Sequence, residues 1–589
     1  MKTTKFLGSI GVVTAAALTL VACGQSSNTS KNDNSGAKEA SKFPAETPKK
    51  ATKQGGTINV ALETDTPFTG IFENGLSTDN YDSQVMQFGN ESLFDVTDSY
   101  KITSNGPATF KLDKNAKTIT ITIKKGVKWS DGKQVVAKDL EYPYEVVANK
   151  AAKSQRYTGS LANIVGMEEY HEGKAKTISG LELPDGENGR TMVIHFKKMT
   201  PGMTQSGNGY FLEWADPYHY MKDVPFSKLE GSDQVRKSPI FFGPYKVSKI
   251  VRGQSVTWVP NKYYWRGKPK LDKIVISVIS TKSATQAVKS HKFDIADVVN
   301  SQWNQVKSTK GVDFVANIPL SYSYLAFKVG KFDKNKNKNV MNPNAKMNNK
   351  ALRQAMAYAM NIDEVNSHYN HGLSFRVKTL IPQQFGDFYD SSLKGFPQNL
   401  KKANELLDKA GYKKKGTYRV QPNGKPLTIH LAAMSGGINA EAIMQNYIQQ
   451  WKKVGLNVKL TGDRLMEFNS FYDKVENDDP SIDAYVAAWS LSSEPSQNDL
   501  YGEDAPFNMA RFVTPENTKL IKDMDSEKSF DRAYRTEVFH KWQKYMNDQA
   551  FVVPMNNSYS ITAVNSKLTG YSTKPSKGNS VWFNVGFAK

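Results

Sequence analysis

The architecture of this chain is best approached from KGVKWSDGK at residues 125–133, together with the AKD that follows at 137–139. Just before it, residues 118–123 alternate polar and apolar side chains, a pattern typical of a half-buried strand. The dipeptide Asp131-Gly132 predicts a tight turn after that strand. The segment therefore predicts a strand, a turn and then a new element.

A helix is the next predicted element, with Leu140, Tyr144 and Val147 on one face. Pro143 is compatible with that helix only near its first turn, because proline lacks an N–H to donate. The same periodicities recur along the chain and predict strands at 57–62 and 456–460 and helices at about 397–410, 440–454 and 530–547. Strands and helices alternate throughout, which predicts an α/β or mixed α+β fold.

Further segments follow in a fixed order. They are GPYKV (243–247) with NKYYW (261–265) and GKP (267–269), KFDIA (292–296), ALRQA (351–355) with NID (361–363), LLDKAGY (406–412) and GLNV (455–458). Together with the first segment, they resemble the extracytoplasmic solute-binding proteins of family 5. The likeness is greatest to the lipid-anchored, oligopeptide-binding members that serve ABC transporters, and it extends from about residue 55 to the C-terminus.

The resemblance implies a periplasmic-binding-protein-like fold of the type with an extra third domain, in which two lobes close on a ligand. The chain would cross between the lobes more than once, so the domains would be discontinuous. The implied bounds are 55–98, 235–316 and 558–589 for lobe I, 99–234 for the extra domain and 317–557 for lobe II.

The first residues predict where the protein is located. Lys2 and Lys5 precede an apolar stretch of about 16 residues, which is shorter than the ~20 needed to span a membrane and suits a secretory signal at 1–22. The only cysteine, Cys23, lies where a bacterial lipobox would place the lipid. Residues 23–54 have few large apolar side chains and predict a disordered tether. We expect a lipid-anchored protein on the outer face of the cell membrane of a Gram-positive bacterium.

Charge and composition exclude several classes of protein. The 589 residues include 78 Lys and Arg against 57 Asp and Glu, a formal net charge of +21. The single cysteine rules out an internal disulfide framework. The lysine-rich stretches lack the interleaved aromatic residues that stack on bases, so nucleic acid is not expected as a partner. We expect the charge to favour anionic wall polymer, in a manner that salt weakens.

No catalytic motif is found in the sequence. There is no phosphate-binding loop of the GxxxxGK[ST] type, no GxSxG nucleophile elbow and no HExxH zinc helix. We therefore expect a protein that is not an enzyme and that uses neither a cofactor nor a metal. An ATPase that drives transport would have to be a separate cytoplasmic subunit.

The candidate ligand-binding residues lie in DAYVAAWSLSSEP at 483–495. By resemblance, Glu494 would be the carboxylate that meets a peptide's amino end and Trp489 a wall of the site, with backbone groups near Ser490, Leu491 and Ser492 pairing with the ligand. Some family members carry an aspartate nearer the tryptophan, where this chain has leucine and serine. Two alternatives stay open: an exposed loop acid at 494 and a core tryptophan at 489.

The function that the resemblance implies is that of a monomeric receptor that binds oligopeptides and delivers them to the permease of an ABC transporter. One alternative is a family member that binds another solute, such as a nickel complex, a sugar or a glycan fragment. Another is a basic surface adhesin. The sequence does not separate members of the family by ligand, because only pocket residues differ between them.

Overall fold

The computed structural model describes residues 43–64, 67–77, 79–336, 338–435 and 439–589. The predicted signal at 1–22 and the predicted lipidation site Cys23 lie outside the described residues. Within those ranges, strands and helices are mixed along the chain, and the strands form three main sheets. The predicted α/β class, with two lobes and an additional domain, is confirmed.

Lobe I is built on a seven-stranded sheet. Its core strand Thr57–Glu63 pairs in parallel with Lys273–Ile279, and Ile58, Val60 and Leu62 point from it into the core. This alternation is the one that predicted a strand here. In spatial order, the strands are Val312–Asn317, Ser560–Asn565, Ile295–Val298, Thr57–Glu63, Lys273–Ile279, Ser255–Pro260 and Tyr245–Val251.

The extra domain contains a four-stranded antiparallel sheet. Its strands, in spatial order, are Ala108–Asp113, Thr118–Ile123, Thr191–His195 and Leu181–Glu182. Trp129 is buried, and its Nε1 donates to Asp139 Oδ2 over 2.8 Å. Asp131-Gly132 forms the predicted turn, with Gly132 at φ +98°. The segment at 125–139 therefore joins the sheet to the helix that follows.

That helix spans Ala137–Ala148, and Pro143 lies in its middle and not near its first turn. The expectation about this proline was wrong. A proline at this position frees the carbonyl four residues earlier, which belongs to Asp139. The N–H of Asp216 donates to that carbonyl over 3.0 Å, so the missing helical bond is replaced from another part of the domain.

Lobe II is built on a five-stranded sheet covered by the longest helices. Its strands, in spatial order, are Asn457–Leu460, Thr428–Ala432, Ala484–Ser490, Ser321–Phe327 and Val552–Pro554. The main helices are Lys350–Ala359, Ile362–Asn370, Leu400–Lys409, Ala440–Lys453, Phe468–Glu476, Pro515–Met524 and Arg532–Gln549. The predicted strand near 456–460 and the helices near 397–410, 440–454 and 530–547 are confirmed within a few residues.

Shorter elements complete the described part of the chain. Two-stranded pairs are Asp95–Val96 with Ile102–Thr103, Gly330–Asp333 with Lys338–Met341, Ser374–Arg376 with Asn556–Ser558, Lys414–Lys415 with Tyr418–Arg419, and Leu568–Thr569 with Gly586–Phe587. Short α-helices are Asn80–Met86, Met167–His171, Tyr218–Met221, Phe226–Leu229, Asp233–Arg236, Ala284–Lys289, Trp303–Val306, Asn498–Tyr501 and Val581–Asn584. Single 3-10 turns link several of these elements.

Lobe I and lobe II are joined by two neighbouring crossings of the chain. One runs from Val312–Asn317 to Ser321–Phe327, and the other returns from Asn556–Ser558 to Ser560–Asn565. The Asn557 side chain bridges the two crossings, because its Nδ2 donates to the carbonyl of Pro319 over 3.0 Å. Two adjacent strand-like connections of this kind can act as a hinge. The exact domain bounds stay a prediction.

Residues 43–54, the last part of the predicted tether, are bound to lobe I. The N–H of Thr47 donates to the carbonyl of Tyr571 over 3.0 Å, and that of Lys53 to the carbonyl of Phe587 over 2.9 Å. The Phe43 ring meets Trp303 edge-on at 5.2 Å between centroids. The prediction of disorder was wrong for this part, because the segment is held by backbone pairing, which polar composition does not reveal.

Candidate functional site

One edge of the lobe II sheet is open beside the predicted ligand-binding segment. Strand Ala484–Ser490 pairs with Ser321–Phe327 along its whole length. On its other side, Thr428–Ala432 pairs only with Ala484 and Tyr485 at its start. Among the residues that the structure describes, no strand pairs with the remainder of that side.

The backbone of Ala488 and Ser490 faces this open edge. The N–H of Leu491 donates to the carbonyl of Leu320 over 2.8 Å, so Leu491 points its backbone groups toward Ser321–Phe327. In an antiparallel pair the bonded residues alternate, and even-numbered residues of this strand therefore point the other way. Such an edge can take an extended chain by strand addition, which depends on the backbone and not on side-chain sequence.

Trp489 itself lies in the core of lobe II. Its side chain stacks on Tyr324 with ring centroids 6.0 Å apart and planes at 17°, and Phe507 meets it edge-on at 5.8 Å. Trp489 is 5% exposed. It supports the strand from beneath, and its role as a wall of the site stays a prediction.

The next residues lead away from the strand as a short turn. Leu491 is half-buried against the lobe II core, whereas Ser492 is exposed. The Ser492 Oγ donates to the carbonyl of Glu494 over 2.8 Å, which folds the loop back on itself. The structure thus brings Ser490, Leu491 and Ser492 to the end of the open edge.

Glu494 is engaged by its own protein. Its Oε1 accepts from Arg535 Nη2 over 2.6 Å, and its Oε2 accepts from the N–H of Ser496 over 2.8 Å. Arg535 also contacts Asp525, and both side chains of the Glu494–Arg535 pair are 6% exposed. Burial raises the pKa of Glu494, and the positive charge of Arg535 opposes that rise. Arg535 already supplies a cation to this carboxylate, and the predicted contact of Glu494 with a ligand's amino group stays a prediction.

The extra domain lies directly against this ion pair. A Cβ on Gly202 would stand 2.9 Å from the Glu494 Cδ, and one on Gly207 would stand 2.8 Å from the Ser493 Oγ. Lys114 makes an ion pair with Glu527 over 3.2 Å. Because the extra domain packs on lobe I through residues such as Phe242, this contact with lobe II crosses the space between the two lobes.

A second pair of carboxyl groups lies in lobe I. Asp297 faces Thr562 on the neighbouring strand, and its Oδ1 accepts from the Thr562 Oγ1 over 3.0 Å. Glu63 ends the adjacent strand, and burial raises its pKa to about 9, with the charge of Asp297 adding to the effect. In the described parts of the chain, neither group makes an ion pair, and Glu63 Oε1 is buried without a hydrogen-bond partner.

Asp297 is an exposed residue with a raised pKa. Solvent reaches its side chain, which is exposed, yet the surrounding protein desolvates it and raises its pKa. The sequence analysis missed Asp297 and Glu63. The alternation gave no signal for Glu63, because Glu63 falls on the face of its strand that also carries Thr57 and Asn59.

The described residues contain neither a metal-binding cluster nor a membrane-spanning helix. No three His, Cys, Asp or Glu side chains in those ranges converge closely enough to hold a metal ion. No helix there has both the length and the apolar composition needed to cross a bilayer.

Comparison with known proteins identifies the family. The model of the bacterial extracellular solute-binding proteins, family 5, matches residues 98–510. The chain belongs to this family. The match covers lobe II through Ala510 and the whole of the extra-domain sheet, so it includes both sides of the contact at Glu494.

Two relatives are similar over nearly their whole length. The oligopeptide-binding protein OppA of Lactococcus lactis subsp. cremoris (strain SK11) is 43% identical over 95% of this chain and 94% of its own. The OppA protein of Lactococcus lactis subsp. lactis is 42% identical over 98% of this chain and 96% of its own.

Solved structures agree with this family. Lactococcal OppA, complexed with an endogenous peptide in the closed conformation, superposes with a TM-score of 0.78 at 42% identity, over 90% of this chain and 100% of that one. AppA of Bacillus subtilis, in complex with a nonapeptide, gives 0.67 at 22% identity over 92% of this chain and 100% of that one, which shows the shared fold.

Proposed function

We propose that this chain is a receptor that binds oligopeptides between its two lobes and delivers them to an ABC permease for import. The observation that carries the proposal is the 43% identity to an oligopeptide-binding protein over 95% of this chain. Identity this high over both lobes and the extra domain includes the surfaces that face a ligand. The superposition on a peptide-bound, closed relative supports the same conclusion.

The open edge at Ala488 and Ser490 supports a peptide as the ligand. A peptide offers a repeating backbone, and an unpaired strand edge can bind it without regard to its sequence. The exposed carboxyl of Asp297 would accept a cationic side chain or amino group of the ligand, because it has no ion-pair partner among the described residues. Ligand side chains of other types would be met through water.

Closure of the lobes would hold the ligand. Rotation about the two crossings would bring the extra domain onto lobe II at Gly202 and Glu494, the contact present in this structure. The receptor would work without catalysis, since its relatives bind substrates and do not convert them. The closed form would dock on a separate permease, driven by a separate ATPase. Attachment through a lipid on Cys23, on the outer face of the cell membrane, and a monomeric state complete the proposal.

The proposal is tested by identifying what the purified protein carries. Mass spectrometry of ligands released by denaturation is expected to yield peptides, and a random peptide library is expected to bind to the emptied protein by calorimetry. A protein that releases no peptide and binds none would overturn it. Release of a metal chelate, a sugar or a glycan fragment would establish another ligand for this family member. Retention on cell wall without any solute would favour an adhesin.

A proline at Ser490 tests the open edge itself. Ser490→Pro removes an N–H from the edge and places a ring there, while Leu491 keeps its bond to Leu320. We expect peptide affinity to fall at least tenfold. Ser490→Ala is the matched control, because it keeps the backbone and loses only the hydroxyl, and its affinity is expected to stay within twofold. Equal affinities for the two variants would exclude strand addition at this position.

A further inference from the structure

The positive charge of the chain is concentrated in one part of lobe II. Residues 409–460 contain nine Lys and Arg residues and one acid, Glu441, out of a formal net charge of +21 for the whole chain. This stretch includes the helix Ala440–Lys453 and the pair of short strands before it. Nothing in the proposed binding of a ligand between the lobes uses it.

The fold brings the lysines of this stretch together at one place. Arg419 connects the helices Leu400–Lys409 and Ala440–Lys453. Its Nε donates to the carbonyl of Val454 over 2.8 Å, and its Nη2 donates to Asn404 Oδ1 over 2.8 Å. Its N–H donates to the carbonyl of Gly455 over 2.7 Å. Arg419 is 2% exposed, and its charge is paired with Asp408, an exposed acid that immediately precedes Lys409.

Six lysines surround this buried arginine, and we call them the lysine surface. They belong to the last turns of the two helices and to the turn between them, and they are Lys409, Lys413, Lys414, Lys415, Lys452 and Lys453. All six are exposed, and within the described part of the chain none of them makes an ion pair. The carbonyl ends of both helices stabilise positive charge there.

The chemistry of the surface limits what it can bind. Its charges are lysine ammonium groups on flexible stems, which attract anions as point charges and do not select one planar geometry. The large hydrophobic side chains that are exposed among the described residues are Val165, Val340 and Phe468, and none of them belongs to the lysine surface. Insertion into a bilayer therefore has no apolar anchor here.

We propose that the lysine surface binds a linear phosphodiester polymer outside the cell. Such a polymer presents regularly spaced negative charges and can contact several lysines at once, releasing counterions as it binds. The inference rests on charge and placement in lobe II alone. It does not depend on the ligand held between the lobes.

The test compares two variants of equal net charge. In the cluster variant, Lys413, Lys414, Lys452 and Lys453 are changed to Gln. In the dispersed variant, the four exposed lysines Lys111, Lys176, Lys228 and Lys268 of the extra domain and lobe I are changed to Gln. Binding of poly(glycerol phosphate) to the full chain is measured by calorimetry or affinity electrophoresis at several salt concentrations, with vesicles of neutral and of anionic phospholipid in parallel.

We expect the cluster variant to lose at least tenfold in affinity for the polymer and to show a flatter dependence on salt. The dispersed variant should lose less than threefold, and peptide binding should be unchanged in both. Equal losses in the two variants would overturn the proposal in favour of a general charge effect. No binding of the unmodified chain to the polymer would overturn it, and so would binding confined to anionic vesicles, which would make lipid the partner.

Discussion

Two groups of carboxyls, one in each lobe, have opposite surroundings. In lobe II, Glu494 and Asp525 share the guanidinium of Arg535, and the extra domain covers the pair at Gly202. In lobe I, one oxygen of Glu63 is buried without a hydrogen-bond partner, and Asp297 is exposed with a threonine hydroxyl as its partner. Burial raises the pKa of both Glu494 and Glu63.

The two groups differ in their cation partner, because Arg535 pairs with Glu494, whereas the lobe I carboxyls have no ion pair in the described residues. Glu494 has its charge satisfied before any ligand arrives, so closure only has to cover a neutral pair. Glu63 and Asp297 have no such partner in the described residues. Because the pKa of Glu63 is raised to about 9, that carboxyl is protonated near neutral pH, so a cationic group would be attracted mainly by Asp297. Each of the following experiments changes one side of this contrast.

The largest effect is expected for Arg535→Met. It leaves Glu494 buried without its cation, which should lower the free energy of unfolding by about 3 to 5 kcal/mol at pH 7. Below pH 4 the loss should shrink, because Glu494 is then protonated in both states. Urea denaturation in the absence of peptide measures this loss in the free energy of unfolding. Arg532→Met on the same helix is the control, since its pair with Asp387 is exposed and should be worth less than about 1 kcal/mol. Similar losses for both variants would contradict the contrast.

A second effect is expected at the contact between the extra domain and lobe II. Gly202→Val would place atoms within 3 Å of the Glu494 carboxyl only when the lobes are closed. Peptide affinity should fall at least tenfold, whereas the unfolding midpoint should stay the same. Gly159→Val is the control in the same domain, because a side chain there meets open space. Calorimetry with one defined peptide measures both. Unchanged affinity in Gly202→Val would mean that binding does not require this contact.

The strand, turn and helix around Trp129 could be predicted because their signals are local. Alternation in Thr118–Ile123 and the Asp131-Gly132 turn lie within a few residues of each other. Pro143 was misjudged for the opposite reason, since the bond that compensates for it comes from Asp216, outside the segment. Local sequence patterns predict secondary-structure elements. A residue that breaks such a pattern, as Pro143 does, is tolerated because of partners elsewhere in the fold.

The site was only partly predictable, for the same reason. The segment at 483–495 could be located from its resemblance, and the structure places Ser490 at an open edge. The partner of Glu494 could not be located, because Arg535 lies 41 residues further along, on a helix with other basic residues. Asp297 meets Thr562 across 265 residues, a pairing that only the assembled sheet creates.

A smaller effect is expected for Glu63→Gln. Burial raises the pKa of this carboxyl from 4.5 in the unfolded chain to about 9 in the folded protein. Between pH 4.5 and pH 9 the carboxyl ionises more readily in the unfolded chain, so the folded protein loses stability as the pH rises. The variant should therefore be more stable than the unmodified chain at pH 8, by on the order of 1 kcal/mol for a group that keeps some solvent contact. At pH 4 the two should be equal, because the carboxyl is protonated in both states. Thermal unfolding at the two pH values measures this, and a gain of the same size at pH 4 would contradict it.

The smallest effect is expected for Asp297→Asn, and it concerns selectivity. Two peptides that differ only by Lys or Gln at one position are compared with this variant. The affinity for the lysine peptide should fall two- to fivefold, because the accessible carboxylate attracts the ammonium group through partly screened solvent. The affinity for the glutamine peptide should not change.

Asp223→Asn has the same net charge as Asp297→Asn and changes an exposed acid of the extra domain, so it separates a local contact from a general charge effect. It should leave both peptides unaffected. The difference at Asp297 should also decline as salt is added, since exposed charges are screened over about 8 Å at physiological ionic strength. If both variants weakened the lysine peptide equally, or if moving the lysine along the peptide made no difference, the lobe I carboxyls would not form a defined subsite. Glu494 and the lobe I carboxyls would then differ only in how deeply they are buried, and not in their availability to a ligand.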